Sequence, residues 1–264
     1  KEGAYNFFTG SPFSQGKFQF DLWDEEQRLH PRDAKLPASL PKVPIVTELS
    51  GMWDWESLRE EMVTYGTRNS LLTACMPTAT TSQIMGNNET TEPYTQNIYT
   101  RSTLAGEFYV VNQHMMKDLM AAGYWSEKVM DMIKVCEGSI TPIKFIPERI
   151  RSIYRTAWEI SKMSILEMAA ERGRFVDQTQ SMNLFLPSAD HETANTLLFY
   201  AWELGLKTMI YYMRTKAGVD PIQFGIDAEK AAEYRKELEQ VGNQVCRFVP
   251  KSQRKDSECT VCDG

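Results

Sequence analysis

The feature that most constrains the fold is a short apolar run that ends in a proline turn and continues into a hydroxyl-rich segment. Residues 70–75 (SLLTAC) predict a buried strand, which Pro77 closes with a turn. Residues 78–82 (TATTS) supply four hydroxyl groups, and Ile84 and Met85 then begin a helical apolar pattern. A strand, a turn and a helix start in this order are typical of an α/β architecture.

The hydroxyl-rich turn permits two interpretations. The first turn of a helix has unpaired N–H groups and the positive end of the helix dipole. Thr78, Thr80 and Thr81 would add hydroxyl donors, so a phosphate could be held there without a lysine or a metal. Alternatively, Thr80 or Thr81 simply caps the helix, as Ser and Thr commonly do. The residues alone leave both interpretations open.

Helical and extended patterns alternate along the rest of the chain. Predicted N-caps are Asp54, Asn112 and Asp227, and Gly173 is predicted to end the longest helix. Helices are predicted at residues 54–62, 113–122, 125–135, 147–172, 190–204 and 227–241, and strands at residues 108–111, 182–186 and 207–215. The alternation predicts an α/β fold with mostly parallel strands.

Composition shifts define the expected organisation of the chain. Residues 1–224 are expected to form one α/β portion, which begins with an ordered aromatic and Gly/Pro-containing loop at residues 1–23. Residues 24–52 contain four prolines and many charges, which predicts an exposed insertion without a helix or an inner strand. Residues 225–264 are expected to form a surface helix followed by a mobile tail, because residues 247–264 are polar and charged.

Charge and cysteine content exclude several classes of protein. The net charge of −6 argues against non-specific nucleic-acid binding, which needs a basic face. No apolar run approaches the ~20 residues of a membrane span, and we expect no signal peptide. Five cysteines, an odd number, favour a reducing compartment and hence a cytoplasmic location. Because the chain begins at Lys1 rather than Met, we expect it to be part of a longer polypeptide.

A C-x-x-C pair, Cys259 and Cys262, lies close to the end of the tail. Such a pair is half of a zinc site or a dithiol that cycles with a disulfide. Zinc needs about four ligands, and the other cysteines (Cys75, Cys136 and Cys246) form no second pair, so no metal site is predicted. A flexible arm suits thiol–disulfide exchange. Redox use is favoured, with zinc binding or no role as alternatives.

Two adjacent tyrosines, Tyr211 and Tyr212, occur in the last predicted strand. Neighbouring side chains of a flat strand point to opposite faces, so the usual role of such a pair is packing. If the two phenols are instead to lie together, the backbone must bend at this point, where the strand ends or bulges.

Five segments together resemble the large subunit of aerobic, eukaryotic-type ribonucleoside-diphosphate reductase. The longest are residues 65–72 (YGTRNSLL) and residues 76–108, which begin MPTATTSQIMGNNETTEPYTQNIYTR. Residues 2–16 match the pattern EGxYxxxxGSPxSxG, residues 177–183 (DQTQSMN) are similar to DQSQSLN, and residues 205–215 match GLKTxxYYxRT. This resemblance implies the ten-stranded α/β barrel of that family, of which this chain would supply only the later strands.

The resemblance assigns roles to the turn and to the tyrosines. It implies that the turn binds the diphosphate of the substrate through Thr78, Ala79, Thr80 and Thr81. Cys75 and Thr80 stand where we expect Pro and Ser, and Thr80 keeps the hydroxyl. The tyrosines would relay an oxidising equivalent from the small subunit to the active-site cysteine, with Tyr212 as the outer member and Tyr211 as the inner member.

The same resemblance implies partners and cofactors. Cys259 and Cys262 would reduce the active-site disulfide and be reduced in turn by thioredoxin or glutaredoxin. The di-iron tyrosyl radical would belong to the small subunit, and the ATP and dATP effectors would bind an absent N-terminal part, so no cofactor is expected in this segment. The large subunit is expected to be dimeric, and Cys75 is expected to be a core thiol.

The implied activity is reduction of ribonucleoside diphosphates to 2′-deoxyribonucleoside diphosphates by radical chemistry. The thiyl-forming cysteine of the family should precede Lys1, so this chain alone is expected to be inactive. The alternative is a non-catalytic fragment that binds the nucleotide and the small subunit.

Overall fold

A computed structural model describes residues 3–29, 48–104, 106–187, 190–215 and 226–240. The chain divides into two compact units. The first is drawn from Lys1–Thr91, Lys162–Leu184 and Ala189–Met213, and the second from Glu92–Ser161, Phe185–Ser188 and Arg214–Gly264. Within the described ranges, no helix combines the length and the apolar character needed to cross a membrane.

The described residues form helices and two small sheets. In chain order the helices are α1 (Gln19–Leu29), α2 (Trp55–Tyr65), α3 (Thr81–Ile84), α4 (Gln113–Ala121), α5 (Glu127–Val135), α6 (Glu148–Ile153), α7 (Lys162–Gly173), α8 (His191–Glu203) and α9 (Ala228–Gln240). The strands are β1 (Ile98–Thr103), β2 (Gly106–Val111), β3 (Asn183–Leu186) and β4 (Tyr212–Thr215). Strands β1 and β2 pair antiparallel with Thr100 opposite Tyr109, and β3 lies beside β4.

The predicted helix caps are confirmed. The carboxylate of Asp54 accepts a hydrogen bond from the amide of Ser57 at 3.1 Å, which is the main cause that lowers the pKa of Asp54. The side chain of Asn112 accepts bonds from the first amides of α4. Asp227 accepts a bond from the amide of Glu229 at 3.3 Å. Each cap satisfies a backbone donor that the first turn of its helix leaves unpaired.

In the first unit, the amino-terminal segment is packed onto α2. The guanidinium of Arg59 donates to the carbonyl of Gly16 and to the carboxylate of Asp21, the latter at 2.9 Å. The ring of Phe20 lies 5.1 Å from that of Trp55. Residues 3–23 are therefore an ordered segment, as predicted for this part of the chain, although α1 begins within them at Gln19.

In the second unit, the core lies around the β-hairpin, α4 and α5. Its fully buried side chains include Met115, Leu119, Met132, Ile133, Ile140, Ile143 and Ile146. The buried Asn97 links three parts of this unit. Its side-chain amide donates to the carbonyls of Gly138 at 3.1 Å and Tyr154 at 2.8 Å, and its side-chain oxygen accepts from Asn112 at 2.9 Å.

Two predicted elements differ from those observed near the start of the chain. The buried strand at residues 70–75 is wrong, because only Cys75 pairs, in a single parallel bridge with Gln180, and Leu71 and Leu72 are exposed. The helix-free insertion at residues 24–52 is also wrong at its start, because α1 continues to Leu29. A helix is compatible with that stretch because its first proline comes only at residue 31. Residues 30–47 lie outside the described ranges.

The long helix predicted at residues 147–172 is two helices, α6 and α7. Between them the carboxylate of Glu159 accepts bonds from the amide and the hydroxyl of Thr156, at 2.7 and 2.9 Å. The amide of Ala157 donates to the carbonyl of Tyr94 at 2.8 Å. Side-chain and long-range bonds of this kind compete with the helical pattern and interrupt it.

The strand predictions were correct in part. Strand β3 confirms the strand at residues 182–186, but β4 begins only at Tyr212 rather than at residue 207. Strand β1 was missed, and its antiparallel pairing with β2 departs from the expected parallel strands.

Substitution of Gly138 tests how tightly the second unit is packed around this residue. Its φ is +80°, and a Cβ at this position would lie 2.6 Å from the Cβ of Gln96. Gly123 has a similar φ of +75° with open space around it. We expect Gly123→Ala to lower the free energy of unfolding by about 1–2 kcal/mol through backbone strain alone. Gly138→Ala should lower the free energy of unfolding by about 1–3 kcal/mol more than Gly123→Ala does, which is the range typical of overpacking.

Urea unfolding of the chain, followed by circular dichroism, measures both substitutions. Equal losses of unfolding free energy in the two variants would show that the contact with Gln96 is unimportant.

Candidate functional site

The candidate site is organised by residues 178–182 of the first unit, which carry a neighbouring segment on each side. On one side they bond to residues 73–75, and on the other the amide of Tyr211 donates to the carbonyl of Met182 at 2.6 Å. The bonds on the first side are the amide of Gln178 to the carbonyl of Thr73 (3.2 Å) and the amide of Ser181 to the carbonyl of Cys75 (3.1 Å). The start of the hydroxyl-rich turn and the tyrosine pair are thus positioned against the same short segment.

Side chains reinforce this arrangement. The carboxylate of Asp177 accepts hydrogen bonds from the amides of Leu72 at 2.7 Å and Thr73 at 3.1 Å. The ammonium group of Lys207 donates to the carbonyls of Val176, at 3.0 Å, and Asp177. Burial lowers the pKa of Lys207, and the negative charge of Asp177 opposes that shift. Asp177 and Lys207 therefore fix both neighbouring segments to residues 176–182.

The hydroxyl-rich turn is exposed and tightly bent. All four residues from Thr78 to Thr81 are exposed, and Thr78 has a φ of +51°. The carbonyl of Thr78 accepts a bond from the amide of Ser82 at 2.9 Å, and that of Thr80 accepts from Ile84 at 3.2 Å. Because these carbonyls point along α3, the amides of the turn face the opposite way, toward its open end. The turn can therefore offer amides and hydroxyls to an anion.

The two tyrosines are in contact. Their ring centroids lie 4.4 Å apart with an interplanar angle of 62°. Tyr211 sits at a bend, and Tyr212 is the first residue of β4. Both side chains are about half exposed, at 51% and 49%. The backbone thus has the bend that a pair of neighbouring phenols requires, and the hydrogen bond that the Tyr211 hydroxyl donates to Tyr212 raises the pKa of Tyr211.

Of the five cysteines, the structure describes Cys75 and Cys136. Cys246, Cys259 and Cys262 lie outside the described residues. Cys75 is half-buried with a free thiol. Burial raises the pKa of the Cys136 thiol to about 12, which makes it a poor nucleophile. In the ranges that the structure describes, no group of three or more His, Cys, Asp and Glu side chains is arranged to hold a metal ion.

Sequence reasoning did not single out Asp177 or Lys207. Both lie inside motifs that the resemblance uses, DQTQSMN and GLKTxxYY. Asp177 is the single carboxylate of the first motif and Lys207 the single cation of the second before the tyrosines. A charged residue among the uncharged residues that surround it was the available signal.

Comparison with known proteins identifies the family. The sequence model described as "Ribonucleotide reductase, barrel domain" matches residues 1–212. The chain belongs to this family. The sequence predicted an α/β barrel fold. The family match confirms that this chain is part of such a barrel domain.

Similar proteins are ribonucleoside-diphosphate reductase large subunits. The chain is 48% identical to that of Acanthamoeba polyphaga mimivirus over 99% of its own length and 30% of the relative. It is 45% identical to that of Trypanosoma brucei brucei (97% and 29%) and 44% identical to that of Danio rerio (89% and 27%). The chain thus spans less than a third of the length of these curated relatives.

A solved structure supports the same fold. The Actinobacillus ureae class Id ribonucleotide reductase alpha subunit superposes with a TM-score of 0.52 at 29% sequence identity. The superposition covers 61% of this chain and 30% of that chain.

The burial of Cys136 gives a direct prediction. At pH 8 a thiol with a pKa of about 12 is ionised in on the order of 10⁻⁴ of molecules. We expect iodoacetamide to alkylate Cys136 at least about 100-fold more slowly in the folded chain than in urea, where the pKa returns to its ordinary range. The rate should rise with pH toward 12. Mass spectrometry of the Cys136 peptide measures it, and rapid labelling at pH 8 would contradict the burial.

Proposed function

We propose that this ribonucleotide reductase chain is part of a large subunit that converts ribonucleoside diphosphates to 2′-deoxyribonucleoside diphosphates by radical chemistry. The observation that carries the proposal is the contact between Tyr211 and Tyr212, at 4.4 Å between ring centroids. It occurs in a chain that is similar over nearly its whole length to proteins named ribonucleoside-diphosphate reductase large subunit. Two phenols in contact are what radical transfer needs, and the hydroxyl-rich turn supplies donors for a diphosphate.

In this proposal the turn binds the diphosphate of the substrate. The binding groups are the amides and hydroxyls of Thr78, Ala79, Thr80 and Thr81. Their exposure and the orientation of the turn amides support this role. Because α3 has only four residues, the local donors must carry more of the binding than the dipole of a long helix.

The tyrosine pair would transfer the oxidising equivalent. A tyrosyl radical in the small subunit, generated at its di-iron centre, would first oxidise Tyr212. One electron and one proton then pass from Tyr211 to the Tyr212 radical, which restores the Tyr212 phenol and leaves the radical on Tyr211. The hydrogen bond between the two phenols supports this step because it supplies a route for the proton.

The reducing equivalents would come from the tail. Cys259 and Cys262 would reduce the active-site disulfide, and thioredoxin or glutaredoxin would reduce them in turn. The proposal further includes a cytoplasmic, dimeric large subunit whose ATP and dATP sites lie outside this chain. It also includes the inactivity of this chain by itself, because nothing in its sequence supplies the thiyl-forming cysteine.

The alternative is a chain that binds nucleotide and small subunit without turnover. Both proposals require the diphosphate turn, and only the first requires the tyrosine relay. Substitution of the tyrosines therefore separates them.

Removing either phenol should stop the reaction. In a large subunit that includes this chain, combined with the small subunit, we expect Tyr211→Phe and Tyr212→Phe each to lower the rate of dCDP formation at least about 100-fold. Phe lacks the oxidisable hydroxyl but keeps the ring, so the Kd for CDP should not change. Tyr65→Phe, which removes an exposed phenol at the end of α2, is the matched control. Normal dCDP formation by Tyr211→Phe would refute the relay.

The tail pair can be tested separately. Cys259→Ser leaves Cys262 without its partner, so thioredoxin-driven turnover should fall to the background rate. A prereduced enzyme should still form product in a single turnover, because the active-site thiols are already reduced. The two measurements are steady-state and single-turnover dCDP formation, and loss of both would show that Cys259 acts elsewhere.

A further inference from the structure

The segment that carries the diphosphate turn is closed on itself. We call residues 77–91 the substrate loop. The amide of Thr90 donates to the carbonyl of Pro77 at 3.1 Å and to the hydroxyl of Thr78 at 3.2 Å. Thr78 and Thr90 have φ values of +51° and +59°. β-Branched residues rarely adopt such a conformation, and it persists only where neighbouring groups hold it.

A guanidinium outside the loop contacts its far end. Arg172 lies in the last turn of α7, and its Nη2 donates to the hydroxyl of Thr91 at 3.1 Å. Its Nε donates to the side-chain oxygen of Gln180 at 3.2 Å. Thr91 directly follows Thr90, whose amide makes the bonds that close the loop. Arg172 therefore contacts the loop one residue from its closure.

Gln180 is itself firmly held. It is buried, and its side-chain amide donates to the carbonyl of Ala169 at 2.6 Å. Its backbone pairs in the parallel bridge with Cys75, two residues before the substrate loop begins. Arg172 therefore connects the far end of the loop to the residue that holds its near end.

We propose that Arg172 is a positioning residue for substrate binding. Its guanidinium holds the substrate loop in the conformation in which residues 78–81 bind a diphosphate, without contacting the ligand itself. This inference rests on the proposed function of those residues. The planar fork of arginine can donate to Thr91 and Gln180 together, whereas a lysine offers a single charged point that cannot reproduce both directions.

The test measures the Kd for CDP by equilibrium dialysis, in a large subunit that includes this chain. We expect Arg172→Met to weaken CDP binding about tenfold, because it removes the charged donor that bonds to Thr91 on the loop as well as the bond to Gln180. The kcat at saturating CDP should stay within about twofold, because the loss is in binding and not in the chemical step. Arg172→Lys should remain weakened although it keeps the charge, so restored affinity in that variant would overturn the proposal in favour of a charge effect.

Thr91 provides a second, milder variant and a test of coupling. Thr91→Val removes only the acceptor on the loop, so it keeps the proposal testable if Arg172→Met does not fold. It should weaken CDP binding in the same direction. Because both substitutions break the same bond, the double variant should bind CDP no more than about twofold more weakly than Arg172→Met alone. Additive losses would mean that Arg172 acts through another contact and would overturn the proposal.

Two further variants separate the possible failures. Arg174→Met breaks a partly buried ion pair with Asp24, at 2.7 Å in the same unit, and should leave CDP binding unchanged. If it weakens CDP binding as much as Arg172→Met does, the effect is general destabilisation and the proposal fails.

Thr80→Val removes a hydroxyl of the diphosphate turn itself. If Thr80→Val weakens binding and Arg172→Met does not, only the role of Arg172 is overturned. If Thr80→Val has no effect, the diphosphate assignment falls, and the role of Arg172 falls with it.

Discussion

The backbone pairing of residues 178–182 with two neighbouring segments is the constraint on which the candidate site depends. One neighbour, residues 73–75, leads directly into the substrate loop, and the other begins at Tyr211. Under the proposed function these groups act in one reaction and have to be held in register, since a shift of about 1 Å can cost two orders of magnitude in rate. Here the register is set by backbone hydrogen bonds, which cannot slip by one residue without breaking the whole set.

Polar side chains give this pairing its specificity. The carboxylate of Asp177 bonds to the amides of Leu72 and Thr73, and the side chain of Gln180 bonds to α7 and Arg172. A buried polar group that loses its partner costs free energy, so the bonds of the buried Gln180 penalise an alternative register most strongly. Apolar contacts alone would stabilise the same segments with less positional preference. The polar character of DQTQSMN, which on sequence alone looks like the lining of a strand end, therefore has a defined structural role.

The sequence predicted those features that neighbouring residues decide. The caps at Asp54 and Asn112 are local, because the side chain and the amides it satisfies lie within three residues. The break between α6 and α7 could not be predicted in this way, because the contact of Ala157 with Tyr94 spans many residues. The turn at residues 78–81 was recognised from its hydroxyls, whereas its closure by Thr90 and Arg172 depends on contacts far apart in the chain. Local chemistry thus identified the hydroxyl-rich turn but not the distant residues that contact it.

The contact between the tyrosines also constrains how the pair can carry charge. A hydrogen bond raises the pKa of Tyr211, so its phenol stays protonated at neutral pH. Oxidation of a protonated phenol must release a proton together with the electron, and the neighbouring Tyr212 oxygen becomes a good acceptor only once Tyr212 has itself been oxidised. Under the proposed function, acid–base chemistry then sets the order of events: Tyr212 would be oxidised first, and Tyr211 would follow. Both rings are about half exposed, so in that proposal Tyr212 would be accessible to an oxidant from outside the chain.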